Sequence, residues 1–543
     1  MSGHLFIVYG DLTQLCCDAW LLPCDIDALP NPRWLKRFNL KLARLPFPAP
    51  TAEWRAGKQR AMKVAYWKDD LPCPWLANVG ATSRTKTPWF IAGAREFVER
   101  AAKDLKTEQP KPRFDRAKHL LALPVVGTGL GGAHSTTGDV VRALVPELVR
   151  LASELDVDIA LVSNDEFTFA AAQAQRGLAA SAWPDLDAGL WAEGERLARI
   201  AANGNLVLFL GAGVSKNAGL PDWGGLLRNL AKGAGMSEAE LEMLGDLGSL
   251  DQARAIELRM EANAGASPKG TRILGASIAE ACNNVHGYAM THALLAALPV
   301  REVVTTNYDT LFERASEAAG RTISVLPHDP NSEANRWLLK MHGCVTDPEN
   351  IVLTREDYMR YDIRREALAG IVQALLLTRQ MLFVGFSLRD DNFHRIADAV
   401  RRARMPSRRG TQVENAPVFE HFGTALALFS KPLEQSLWAK DLDWVTMEAL
   451  GPPAVGDAAA GAKWANAARR LEIFLDSLLA RTGTTRHLLN PRFDGALTDA
   501  ERALATKVQR FIDDIEGDPE AVRAPAWDLV AELFQRLGRP RRP

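Results

Sequence analysis

A chain of 543 residues exceeds one ordinary hydrophobic core and predicts two or three domains. Its 65 basic and 66 acidic residues leave a formal charge of -1, so no global field draws a nucleic-acid backbone and direct nucleic acid binding is not indicated. No apolar run long enough for a membrane span, no secretory leader pattern and six scattered cysteines without C-x-x-C clamps make a cytoplasmic protein without a bound metal the expectation.

The first region, residues 1–183, opens with "HLFIVYGDLTQLCCDAWLLPCD", where apolar runs from Leu5 to Tyr9 and Cys16 to Leu22 flank a polar turn. "HLLALPVVGTGLGG", His119 to Gly132, then feeds an apolar strand into a glycine-rich loop. Val140, Val141, Leu144, Val145, Leu148 and Leu151 recur at helical spacing, and "DIALVSND" reads as a short buried strand. This alternation predicts an α/β layer fold.

Residues 193–440 repeat the pattern. Strands are predicted in "LVLFL" before Gly211, "REVVTTNYD" around Val304, "WLLKMHG" around Leu339 and "QMLFVGFS" around Phe383. Helices are predicted from Trp223 to Ala231, Ala289 to Ala297, Thr310 to Ala318 and Ile371 to Leu377. The conspicuous polar residues follow the strands directly, at the edge where an open parallel sheet binds its ligands. An Ala/Gly/Pro-rich stretch, "GPPAVGDAAAGAKWANAARR", reads as a linker into a helical C-terminal region over 455–543, suited to packing or oligomerisation.

Four loops carry residues able to do chemistry. Gly211 and Gly213 let backbone amides approach a diphosphate, Ser215 offers a hydroxyl, and Trp223 either walls off a ring or anchors its helix. In "TTNYD", Asn307 has a donor and an acceptor with which to orient water or a ribose hydroxyl, and Asp309 is a cap for the next helix. His342 follows a strand and is the side chain best suited to take a proton near neutral pH. Gly385 permits close approach, Ser387 is a ribose contact, Asp390 holds a loop or a hydroxyl, and Asp391 is the expected N-cap of the following helix. His394 reads as a surface or packing residue.

The ordered set "GAGVS", "TTNYD", "MHG" and "GFSLRD" resembles the sirtuin family, specifically its bacterial branch that cleaves NAD. The resemblance implies a Rossmann-like parallel-sheet catalytic domain over 193–440, with Asn307 and His342 as the catalytic pair. Gly211, Ala212, Gly213 and Ser215 would hold the dinucleotide, Asp309 would lie near the nicotinamide, and Gly385 and Ser387 would face the adenosine half. Asp222, Trp223, Thr306 and Asp390 complete the implied NAD-binding set. Protein-deacetylating sirtuins carry a four-cysteine zinc module after the histidine motif, whereas Cys344 is the only cysteine after His342. No structural zinc is therefore expected, and water becomes the favoured acceptor, giving nicotinamide and ADP-ribose. The resemblance further implies a regulated anti-phage defence effector with an activating protein partner and homo-oligomeric assembly. The rival readings are a protein deacylase or ADP-ribosyltransferase on the same fold, and a non-catalytic nucleotide-binding scaffold.

"GDLTQLCCDAWLLPCD" resembles the opening of macro domains, α/β modules that bind ADP-ribose. That likeness implies an N-terminal domain sensing an ADP-ribose-type signal, with Asp11 at the adenine and Gly127, Gly129, Gly131 and Gly132 around the phosphates. Where macro domains have an Asn-Ala-Ala-Asn run, this chain has Leu22, Pro23, Cys24 and Asp25, which argues against ADP-ribosyl hydrolysis there.

Overall fold

The computed structural model describes residues 2–32, 34, 47–64, 71–80, 86–129, 132–178, 182–264, 272–404, 421–454, 456–483 and 485–539. They form two compact units, Met1–Trp191 with Glu472–Pro543, and Ala192–Leu471.

The first unit is built on a six-stranded sheet. Its strands are β1 (Leu5–Tyr9), β2 (Ala19–Cys24), β3 (Ala61–Lys63), β4 (Cys73–Asn78), β5 (Leu120–Pro124) and β6 (Asp158–Ser163). The spatial order is β1-β6-β5-β2-β4-β3, parallel except for β3, which runs antiparallel to β4. Unbroken apolar runs such as "LFIVY" suit strands covered on both faces. The helix Thr137–Leu155 buries the predicted stripe of Val140, Val141, Leu144, Val145, Leu148 and Leu151.

Of the helical C-terminal region expected over 455–543, residues 472–543 group with this first unit. The reason is electrostatic and steric. Glu472 and Asp476 are buried and meet Arg116 at 2.8 Å and Arg176 at 2.6 Å, and a carboxylate leaves water only for such partners. Gly138 accepts the backbone of Phe493 so closely that an added Cβ would lie 2.7 Å from its Cα. The stretch read as a linker is itself helical from Ala460, in the helix Ala460–Arg481, because its alanines favour that state once the prolines are passed.

The second unit contains seven parallel strands: β7 (Leu206–Leu210), β8 (Glu302–Thr305), β9 (Ile323–Leu326), β10 (Arg336–Lys340), β11 (Gln380–Val384), β12 (Gly423–Phe429) and β13 (Leu442–Glu448). Their order is β13-β12-β11-β7-β8-β10-β9. The four predicted strands are present and adjacent, whereas β9, β12 and β13 were not read from the sequence. β7 pairs β8 on one side and β11 on the other, so the winding direction reverses between β7 and β11. Such a reversal opens a crevice at the carboxyl ends of the strands. Between β7 and β8 the chain makes a helical excursion through Trp223–Gly233, Glu238–Gly245, Ser249–Ala264, Ile273–Asn283 and Met290–Ala297.

Candidate functional site

The register brings four loops to one sheet edge. Val384 pairs with Leu210, Leu210 with Thr305, and Thr305 with Lys340, so the chain leaves β11, β7, β8 and β10 at one level. Gly385, Gly211, Thr306 and His342 therefore follow neighbouring strand ends.

The glycines are there because two backbones touch. Gly213 N–H donates to Gly385 O at 2.9 Å and Gly211 N–H to Val384 O at 3.0 Å. A Cβ on Gly211 would lie 2.5 Å from Gly385 O, and one on Gly213 2.8 Å from Gly385 Cα. Gly385 adopts φ +66°, and its own Cβ would meet Val214 N at 2.6 Å. No side chain fits between these turns.

Behind them lies a buried hydrogen-bonded chain. Asn307 Nδ2 donates to Gly211 O at 3.1 Å and to Ser215 Oγ at 3.3 Å. A carbonyl only accepts, so the amide orientation is fixed: Nδ2 faces the protein and Oδ1, with no hydrogen-bond partner among the described residues, is the acceptor left to present. Ser215 Oγ donates to Asp309 Oδ2 at 2.9 Å and lies 3.3 Å from His292 Nε2. His292 Nδ1 accepts from Ala289 N–H at 3.3 Å, which puts the ring proton on Nε2, facing Ser215. Burial pushes the His292 pKa down to about 4, against the pull of Asp309, so the ring is neutral. Asp309 Oδ1 accepts from Leu311 N–H at 3.0 Å in a turn just before the helix, whose N-cap is Thr310 rather than the expected Asp309.

His342 is 2% exposed, and its Nε2 makes no hydrogen bond among the described residues. The nearest charge is Asp390 Oδ2 at 3.5 Å. Tyr358 O–H donates to that same oxygen at 2.7 Å, while Asp390 Oδ1 accepts from Phe393 N–H at 2.9 Å. Tyr358 and Tyr361 stand edge-on to the imidazole at 5.5 and 6.1 Å. Burial lowers the His342 pKa below the usual histidine range and outweighs the opposing pull of Asp390.

Two geometric differences from the sequence reading follow, at Ser215 and at the cap of the helix Asp391–Ala403. Ser215 is 2% exposed and its hydroxyl is saturated, one proton given and both lone pairs engaged, so it braces Asn307 and Asp309 and has no bond left for a dinucleotide. Asp390, and not Asp391, caps the helix Asp391–Ala403, and its second oxygen faces His342. Asp222 is exposed and caps the helix Trp223–Gly233 by accepting from Gly225 N–H at 2.8 Å. Ala212, Gly213 and Ser387 are exposed at the edge, Thr306 N–H donates to Leu210 O at 3.3 Å, and Trp223 lies 6.5 Å from Tyr308 with its Nε1 buried and without a hydrogen-bond partner among the described residues. His394 packs on Trp438 at 5.0 Å.

In the first unit, Asp11, Gly127, Gly129 and Gly132 follow β1 and β5, while Gly131 lies outside the described residues. Asp11 Oδ1 accepts from Thr13 N–H at 2.9 Å and Oδ2 from Gln14 Nε2 at 3.3 Å. Gly127 has φ +86° and abuts the Phe90 ring, whereas Gly129 faces open space.

Residues 301–436 match the family model described as SIR2-like domain. The second unit carries a sirtuin-like domain. Over 213 residues the chain is 31% identical to the NAD(+) hydrolase ThsA of Enterococcus faecium, covering 38% of this chain and 42% of that protein. It is 32% identical over 204 residues to the NAD(+) hydrolase ThsA of Bacillus cereus (strain MSX-D12), covering 37% and 40%. With the Defense-associated sirtuin 2 of Bacillus subtilis it shares 28% over 211 residues, covering 38% and 20%. The chain thus spans about two fifths, or less, of the length of these relatives.

Reading the sirtuin-like domain from sequence missed His292, Tyr358 and Lys340. His292 had a usable signal: "YAMTHALLAAL" is apolar apart from Thr291 and this histidine, and every residue of the helix Met290–Ala297 is buried. A histidine there requires partners. Among the described residues no cluster of His, Cys, Asp or Glu could hold a metal ion, none of the six cysteines is in a disulfide, and no helix is long and apolar enough to cross a membrane.

Proposed function

We propose that this protein hydrolyses NAD to nicotinamide and ADP-ribose at the carboxyl edge of the second unit's sheet. One observation carries the reading: Asn307 presents only its carbonyl oxygen, beside a strand end bearing a buried neutral histidine with an unpartnered Nε2. Loss of nicotinamide leaves positive charge on the ribose C1′. The side chain's Oδ1 accepts a hydrogen bond from the attacking water or a ribose hydroxyl and so orients that oxygen toward the carbon. As the C1′–nitrogen bond breaks and the water oxygen bonds to C1′, the proton that the water loses passes to His342 through a ribose hydroxyl, with Asp390 stabilising the imidazolium that results. The paired glycine turns receive the diphosphate along their backbone amides. Names of the relatives, two NAD(+) hydrolases and a defense-associated sirtuin, support extending this to a defence effector that consumes NAD when a partner activates it. An N-terminal domain that answers an ADP-ribose-type signal is the corresponding proposal for residues 1–183.

The test is NAD consumption with product identification, comparing the full chain with Asn307→Ala and His342→Ala. Nicotinamide and ADP-ribose from the wild type alone are expected. Transfer to an added acyl-peptide instead of water, or turnover undiminished in both variants, would overturn the hydrolytic reading.

A further inference from the structure

Lys340, the last residue of β10, has a side chain with no exposed surface, although a lysine is among the residues least often buried. Its ammonium donates to Asp309 O at 2.6 Å, to Tyr308 O at 3.3 Å and to Glu313 Oε1 at 2.7 Å, and lies 3.2 Å from Cys344 Sγ. Two of these acceptors are backbone carbonyls of the very loop that carries Asn307. The strand that ends at Lys340 delivers His342 two residues later. One side chain therefore ties the Asn307 loop to the His342 strand.

We propose that Lys340 is a positioning residue for NAD cleavage, holding Asn307 and His342 at a fixed separation through its grip on Tyr308 O and Asp309 O. The proposal rests on the NAD-cleaving reading above. A lysine placed only to balance Glu313 would need no loop carbonyl. Here the carbonyls supply two of its three oxygen acceptors, and Glu313 lies on the helix Leu311–Ala318 that continues the same loop. Burial works against the charged form, yet Glu313, with Cys344 and Asp309 beside it, outweighs it and raises the lysine's pKa above its ordinary value. The charge, and with it the grip, persists across the physiological range.

Removing Lys340 alone would strand Glu313, so the test removes both. Replacing a buried pair with apolar residues of similar volume is often neutral for stability. The Lys340→Met/Glu313→Leu variant is compared with wild type and with Glu313→Gln, which keeps the lysine Nζ, a donor whether or not it is protonated, and its carbonyl acceptors. The readouts are thermal unfolding, kcat and KM for NAD, and hydrogen exchange over residues 306–311. The expected result is a folded double variant with kcat lower by about 100-fold, KM changed by less than about threefold, and faster exchange at Asn307. Glu313→Gln should stay near the wild-type kcat. Wild-type kcat together with wild-type exchange in the double variant would overturn the proposal and leave Lys340 a charge balance. If the wild type does not consume NAD, the functional reading fails and exchange alone decides: faster exchange upholds the tie, and unchanged exchange refutes it. Lys340→Gln/Glu313→Gln, a neutral polar pair, provides the same readouts if the apolar pair does not fold.

Discussion

Replacing Ser215 with alanine puts the buried chain to its most direct quantitative trial. The hydroxyl is the one group joining Asp309, His292 and Asn307. Its loss takes from Asp309 a hydrogen bond to a charged group, about 1.5–3 kcal/mol, and leaves two buried N–H groups short of an acceptor at about 1 kcal/mol or more each. The three partners share one hydroxyl, so these costs overlap, and about 3 kcal/mol is the net expectation. Denaturant unfolding would measure it, following the transition of the second unit through exchange protection of β7 and β8. A double-mutant cycle with His292→Phe should then show a coupling of about 1 kcal/mol or more, because both residues belong to one chain of bonds. A loss below about 1 kcal/mol for Ser215→Ala, or strict additivity in the cycle, would refute the bonded chain and the tautomer derived from it.

Arg336 is 1% exposed and donates to Val300 O, Ala296 O and Leu298 O at 3.0, 2.7 and 2.7 Å, so Arg336→Met should cost about 4 kcal/mol in denaturant unfolding, through stranded carbonyls. His342 has a lowered pKa in the folded protein, so its contribution to stability is complete above about pH 6.5 and is lost as pH falls through the folded value. Asp390→Asn removes the group that opposes this lowering, and the acid limb of the kcat/KM profile should move to lower pH. Gly385→Ala meets both a φ of +66° and a backbone atom at 2.6 Å, so a loss of about 2 kcal/mol or more is expected, with impaired NAD binding by calorimetry.

The central strands were legible because each is a short apolar run ended by glycine or polar residues, as in "LVLFL" before Gly211 and "QMLFV" before Gly385. β9, "ISVL", was lost because a four-residue strand carries too little periodicity, and β13, "LDWVTME", because its alternation is interrupted by charge. The residues at the sheet edge were legible as types in loops. Their orientations were not: nothing local in "GAGVS" tells that Ser215 turns inward to Asp309, a partner 94 positions away. Long-range pairing also hid the place of the C-terminal residues, since Glu472 and Asp476 look like ordinary solvated positions until Arg116 and Arg176 are seen beside them. Lys340 escaped notice for a similar reason, because an isolated lysine after an apolar strand reads as a surface residue.

The contact among Gly211, Gly213 and Gly385 has a consequence for how such a molecule could be switched. Two turns whose main chains fill each other's space cannot hinge separately, so they behave as a single plate. Under the proposed function, admission of a nucleotide and any silencing of NAD cleavage then have to come from elements that border the plate, because the plate itself has no slack to give.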